Sequence, residues 1–176
     1  MRYCLIKKVV SKMFGKLKNL FGGDSGMEIT APVAGKVVAL EDVPDPTFAQ
    51  GILGPGIAIE PAEGRIVAPA DGTVDVMFET GHAVSMTAAD GAELLIHVGI
   101  DTVNLKGEHY TAKCKSGDTV RKGDTLIEFD LDAIKAAGYE VVTPIIVCNP
   151  DVFASVKTEG AGGIQAGDTL LTLEKK

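Results

Sequence analysis

"KSGDTVRKGDTLIEFD", residues 115–130, is echoed by "QAGDTLLTLE", residues 165–174. In each phrase Gly and Asp, which form turns readily, stand before a β-branched Thr that opens an apolar run. A second echo pairs "APVAGKVV", beginning at Ala31, with "APADGTVD", beginning at Ala68. Two phrases that each occur twice, without the fixed period a solenoid needs, imply an internally duplicated fold made of turn-then-strand units. Within "TLIEFD" a period of two puts Thr125, Ile127 and Phe129 on one face, and within "TVDVMF" it does the same for Val74, Val76 and Phe78.

From Met27 onward, short apolar segments are punctuated by Gly, Pro and Asp at the spacing that marks many short strands in a sandwich or barrel. Strands are expected at 35–40, 56–60, 65–68, 72–78, 83–87, 93–98, 111–114, 125–129, 142–147, 155–157 and 169–173. One helical turn is expected in this body, over 132–138, stopped by Gly138. The fold class is therefore all-β, an antiparallel β-sandwich or barrel with internal duplication. Ahead of it, Val9, Val10, Met13, Phe14, Leu17, Leu20 and Phe21 share one helical face among Lys8, Lys12, Lys16 and Lys18. "GGDSG", residues 22–26, reads as a flexible linker, so the chain divides into a basic arm and linker, 1–26, and a body, 27–176.

The chain has 176 residues, enough for one sizeable core and short for two. A net charge of −7 and the absence of Trp exclude a nucleic-acid surface on the body, because phosphate neutralisation needs clustered Lys and Arg. Cys4, Cys114 and Cys148 are odd in number and widely spaced, which suits reduced thiols in the cytoplasm. No apolar run reaches the ~18 residues of a membrane span, and no secretory signal is apparent.

Three histidines are candidates for the chemistry. His109, in "KGEHYTAK", lies among polar residues and reads as a solvated loop residue. His97, in "LLIHVGID", interrupts an apolar run; alone it reads as a hydrogen-bonded core histidine. His82, in "ETGHAVS", lies fifteen residues earlier, and an antiparallel connection would bring the two side chains to cross-strand distance, roughly 5 Å. Such a pair supports either metal binding, with a third ligand from Asp101, Glu93 or Glu108, or covalent catalysis, with one ring as nucleophile and the other as donor to the carried group. Spacing alone leaves both open.

"EDVPDPTFAQGILGPGIAIEP" (41–61), "FETGHAVS" (78–85), "ELLIHVGIDTVNLKGE" (93–108) and "VRKGDTLIEFDL" (120–131) closely resemble, in order and spacing, the glucose-type enzyme IIA domain of the bacterial phosphoenolpyruvate:sugar phosphotransferase system. The resemblance covers about Met27 to Lys175. It implies the family's duplicated hybrid motif and a short N-terminal amphipathic helix. It implies that His97 accepts a phosphoryl group from phosphohistidine on the carrier HPr and passes it to a cysteine of the glucose-type IIB domain, with His82 as second active-site histidine and Thr80 supporting its ring. The docking face would be lined by Phe48, Ile52, Leu53, Phe78, Leu95 and Val103, with Asp45 and Asp101 as its acidic positions, and Gly99 would leave room for a bulky partner. No cofactor is implied; zinc at the His82–His97 pair is compatible but not required. Implied partners are HPr, the IIB domain or IICB permease, and regulatory target proteins. The arm, over 7–21, suits an anionic membrane surface, which would make the protein cytoplasmic or peripheral at the inner face of the cell membrane. The same comparison leaves both Met1 and Met13 as candidate starts. This chain departs from the pattern at Leu95 and Val84, where relatives carry aromatics, and at Gly81, where Asn is usual.

Two other readings compete. A zinc peptidase of related architecture needs three protein ligands and usually an H-x-H pair, which this sequence lacks. A biotinyl or lipoyl carrier needs a lysine in a specific hairpin motif, also absent. A purely regulatory binding protein of the same fold would use the same face.

Overall fold

The computed structural model describes residues 26–176. The expected arm helix, its membrane contact over 7–21 and Cys4 lie outside the described residues.

Among the described residues there are fourteen strands: β1 (Met27–Thr30), β2 (Gly35–Val38), β3 (Gly56–Pro61), β4 (Arg65–Val67), β5 (Gly72–Met77), β6 (Ala83–Ala88), β7 (Glu93–His97), β8 (Tyr110–Ala112), β9 (Thr119–Val120), β10 (Thr125–Phe129), β11 (Thr143–Val147), β12 (Phe153–Thr158), β13 (Gly162–Ile164) and β14 (Thr169–Lys175). They form an eight-stranded sheet in the order β13-β2-β3-β11-β7-β6-β5-β9, and two three-stranded sheets, β1-β14-β12 and β4-β10-β8. All strand pairings are antiparallel. The three sheets close on one core. Ile29 and Leu171 come to it from one small sheet, Ile66 and Ile127 from the other, and Met86, Leu94, Ile96 and Ile145 from the large sheet. Each such side chain, removed from water, contributes about 1.5–3 kcal/mol.

The duplication is visible bond by bond. The Asp124 carbonyl accepts from Ala68 N, and the Asp168 carbonyl accepts from Ala31 N, at 2.8 and 2.7 Å. In return Gly123 N donates to the Ala68 carbonyl and Gly167 N to the Ala31 carbonyl. The copies also cross-link reciprocally, Thr30 N to Pro69 O and Val67 N to Pro32 O. Each Gly-Asp-Thr turn is closed by its aspartate, whose Oδ2 accepts from the backbone three residues back: Lys115 for Asp118, Arg121 for Asp124 and Gln165 for Asp168. The repeated phrase is thus a repeated Asp-closed turn, with the strand it feeds pairing β10 to β4 and β14 to β1.

Four expectations need correction. First, β1, β9 and β13 were not anticipated; β9 has two residues and β13 is mostly Gly, so neither carries an alternating pattern. Second, 132–138 is not the lone helical turn. α1 (Pro46–Ala49) precedes α2 (Leu131–Ala136), and short 3-10 turns lie at Leu40–Asp42, Thr102–Leu105 and Pro150–Val152. α1 is too short for periodicity, but its start was encoded: the Asp45 side chain accepts from Thr47 N at 2.7 Å and Pro46 follows the cap. Third, Val74 and Val76 do not share a face. The register slips between them, Val74 opposing Met86 and Val76 opposing Ser85, and this bulge turns Val76 outward to 46% exposure while Val74 is fully buried. Fourth, a comparable slip between Thr125 and Ile127 leaves Leu126 and Ile127 both buried.

Alternation on the large sheet creates a second, smaller cluster on its far side. Leu94 and Ile96 of β7 enter the main core while Leu95 does not; Ile146 of β11 and Ala58 of β3 are likewise turned away from it. The stretch from Leu40 to Phe48 folds over this far face, and Leu40, Val43, Phe48, Ala58, Ile100, Val142 and Ile146 pack there. His97, two residues beyond Leu95 on β7, belongs to the same face.

Candidate active site

β6 and β7 are neighbours with Ala83 opposite His97. His82, just before β6, accepts through its carbonyl from Val98 N at 2.7 Å, so both histidines sit where the two strands end together. The rings meet edge to face, 4.8 Å between centroids. His82 is buried and His97 half-buried. The fifteen-residue spacing therefore produces the pair that the antiparallel reading called for.

Each ring is oriented by a different partner. Thr80 Oγ1 lies 2.5 Å from His82 Nδ1, and Phe78 meets the His82 ring edge-on at 5.6 Å. His97 Nδ1 is 2.7 Å from the Gly99 carbonyl oxygen. A carbonyl only accepts, so Nδ1 of the neutral His97 ring must carry the proton, and Nε2 keeps its lone pair. Phe48 backs this ring at 5.2 Å.

Burial holds both rings neutral. It lowers His82 to about 4, with His97 adding a further push in the same direction. Burial also lowers His97, opposed by the Gly99 hydrogen bond and by the nearby carboxylates of Asp45 and Asp101. A neutral imidazole with a free Nε2 beside a second imidazole can act as a nucleophile supported by a hydrogen-bond donor.

Gly99 is used differently from the expectation. It is buried, with φ +84, and a Cβ there would lie 2.5 Å from Thr102 Cγ2 and 2.8 Å from the Glu140 carbonyl. What it contributes is a left-handed turn and an acceptor for His97, not clearance for a partner. Asp101 does not receive the ring N–H, which goes to Gly99; it is exposed, at φ +57, and acts on His97 through its charge. Phe48 is 5% exposed and supports the ring from beneath. Leu95 is half-buried in the second cluster. Ile52, Leu53, Phe78 and Val103 are exposed, at 66, 38, 39 and 50%. They come from segments that also place Phe48, Phe78 and Asp101 around the pair. Val76, turned outward by the bulge, is a further exposed apolar side chain, two residues before Phe78. Thr102 and Tyr110 were missed in the sequence; no polar pattern marks a hydroxyl whose partner is a main-chain carbonyl. His109 is exposed, as expected. Among the described residues no three His, Cys, Asp or Glu side chains are grouped to hold a metal ion. Cys114 and Cys148 are free.

Residues 27–153 match the family model described as phosphoenolpyruvate-dependent sugar phosphotransferase system, EIIA 1. The chain is 46% identical, over 93% of its own length and 96% of the relative's, to the PTS system glucose-specific EIIA component of Halalkalibacterium halodurans. It is 48% identical over 82% of its length to the PTS system beta-glucoside-specific EIIBCA component of Bacillus subtilis, of which it spans 24%. Its fold is similar to that of glucose permease IIA from Mycoplasma capricolum, with a TM-score of 0.74 and 30% identity, covering 83% of this chain and 94% of that one. Among the described residues no helix is long and apolar enough to cross a membrane.

Proposed function

The chain belongs to the EIIA 1 family of the phosphoenolpyruvate-dependent sugar phosphotransferase system, and on that footing we propose that it is a phosphocarrier that takes a phosphoryl group from phospho-HPr on His97 and hands it to a cysteine of a glucose-type IIB domain. The observation that carries this reading is the asymmetry of the pair: His97 has Nδ1 committed to Gly99 and Nε2 free, while His82 has Nδ1 committed to Thr80.

In the first transfer the His97 Nε2 lone pair attacks phosphorus as the P–N bond of the carrier's phosphohistidine breaks. The carrier's ring nitrogen leaves with the electron pair, so the group moves without an oxidant or a net proton. In the second transfer a cysteine thiolate attacks and the His97 P–N bond breaks. The phosphoryl group is carried covalently, and the scheme needs no cofactor. Charge spreads over three equatorial oxygens in such transfers, and positioning plus electrostatics supply most of the catalysis. If Thr80 donates to Nδ1 of His82, the Nε2–H of His82 is left to donate to those oxygens. Ile52, Leu53, Phe78 and Val103 form the apolar part of a docking face, with Phe48 and Leu95 beneath it. Asp45 and Asp101 provide edge charge for steering basic partners. The body is 27–176 and works in the cytoplasm; residues 7–21 of the arm hold it at the inner membrane face near a IICB permease, and the unphosphorylated form presents the docking face to regulatory targets.

The test is incubation with labelled phosphoenolpyruvate, enzyme I and HPr. Acid-labile label should appear on His97 and vanish in His97→Ala; label on another residue, or none, sinks the reading. His82→Gln should still accept from HPr and donate poorly to IIB.

A further inference from the structure

The two peptide planes that flank Gly99 lie just beyond His97, and four named bonds reach them. The second plane contains the Gly99 carbonyl, which accepts from His97 Nδ1, and Ile100 N, which donates to the Glu140 carbonyl at 3.0 Å. The first contains the Val98 carbonyl. That oxygen accepts two side-chain hydroxyls, Thr102 Oγ1 at 2.7 Å and Tyr110 Oη at 2.8 Å. Val98 N is itself tied to the His82 carbonyl. Thr102 is completely buried, and its Oγ1 has come back four residues to reach this oxygen.

Tyr110 reaches the same oxygen from a different sheet. It opens β8, opposite Phe129 of β10, and the two rings stack at 6.3 Å. Its hydroxyl therefore links the three-stranded β4-β10-β8 sheet to the turn that leaves β7 of the large sheet. We propose that Tyr110 and Thr102 are positioning residues for His97: by clamping the Val98 carbonyl they hold the Gly99 carbonyl where it fixes the proton on Nδ1 and leaves Nε2 free. Neither hydroxyl bonds to the imidazole; both act through the backbone. Burial raises the Tyr110 phenol above its ordinary range, so the hydroxyl keeps its proton at neutral pH. Without the clamp only the Ile100–Glu140 bond restrains the two planes, and Gly99 between them can shift within the broad basin open to glycine.

The inference rests on the reading of His97 as phosphoryl acceptor for its importance, but its test does not. In protein labelled with 15N-histidine, long-range proton–nitrogen correlation at neutral pH should show His97 with a pyrrole-type Nδ1 and a pyridine-type Nε2. Tyr110→Phe preserves the stacked ring and removes only the hydroxyl; Thr102→Val does the same for its own. In either variant the two His97 nitrogen shifts should move toward each other as the second tautomer is populated. Acceptance from phospho-HPr should fall about fivefold, the scale of one net hydrogen bond. Thr102→Ser should restore both readouts, and the double variant should lose more than either single one. Unchanged His97 shifts in both hydroxyl-deleting variants would overturn the proposal, even if urea midpoints fell, because the hydroxyls would then serve stability alone. A parent that shows the expected shifts but takes no label would instead sink the phosphocarrier reading and leave the positioning role standing.

Discussion

Replacing His82 by Gln should flatten the acid limb of the protein's stability. In the unfolded chain His82 takes up a proton below its ordinary 6.5, whereas in the folded protein burial and the neighbouring His97 ring hold it off until about 4. Between those values the unfolded state binds more protons, so stability is at its full value above pH 6.5 and is lost as the pH falls toward 4. At ~1.4 kcal/mol per pKa unit the ceiling is about 3 kcal/mol; relaxation and water entry around the protonated ring reduce the working figure to about 2 kcal/mol. The groups facing the pair are Asp45 and Asp101, which pull His97 upward. These and the remaining carboxylates are present in both proteins and subtract out. Glutamine keeps a polar end for the Thr80 hydroxyl without a titrating nitrogen. Urea midpoints taken every half pH unit from 7.5 to 4.5 should therefore fall further in the parent than in His82→Gln, by about 1 M for an m-value of ~2 kcal/mol/M. Parallel curves for the two proteins would show that the ring is not held neutral by the fold.

Gly99→Ala puts a Cβ at φ +84 against Thr102 Cγ2 and the Glu140 carbonyl; a cost of about 3 kcal/mol should lower Tm by about 6–12 °C in calorimetry, and an unchanged Tm would mean the turn can yield. Phe48→Ala opens a hole beneath His97 and should cost about 3–5 kcal/mol in urea unfolding. In the same variant acceptance from HPr should slow, since the ring loses its backing; full-rate acceptance would show that Gly99 alone suffices to orient it. Asp124→Ala and Asp168→Ala remove equivalent turn-closing bonds, so each should cost about 1 kcal/mol and the two should add; a large difference between them would show that the two copies are not energetically alike.

What could be read in the sequence was whatever local chemistry dictates. Gly-Asp-Thr specifies a turn through its own aspartate, so the duplication surfaced as repeated letters and reappears as repeated hydrogen bonds. His82 and His97 were legible as a pair because antiparallel neighbours convert a sequence interval into a distance. Val76 was misplaced because a bulge changes the face without changing the letters. Phe48 came with the docking face by resemblance, yet the fold of 40–49 over the far side of the sheet buries it under His97. The roles of Gly99, Thr102 and Tyr110 depend on which main-chain carbonyl each meets, and a carbonyl is the one group every residue shares.

The duplicated phrases and the histidine segments do not overlap, and there is a physical reason for that division. "FETGHAVS" and "LLIHVGID" have no echo elsewhere in the chain. A frame made of two like halves can reuse one turn, because an Asp-closed turn does the same work wherever it stands. Under the proposed function the two rings cannot be alike: one nitrogen must be bare to attack while the other ring offers a proton to the oxygens in flight. That difference requires two unlike partners, a carbonyl for His97 and a hydroxyl for His82. The repeat supplies the rigid sheets on which the pair is mounted, and the unrepeated segments supply the asymmetry that the proposed transfer needs.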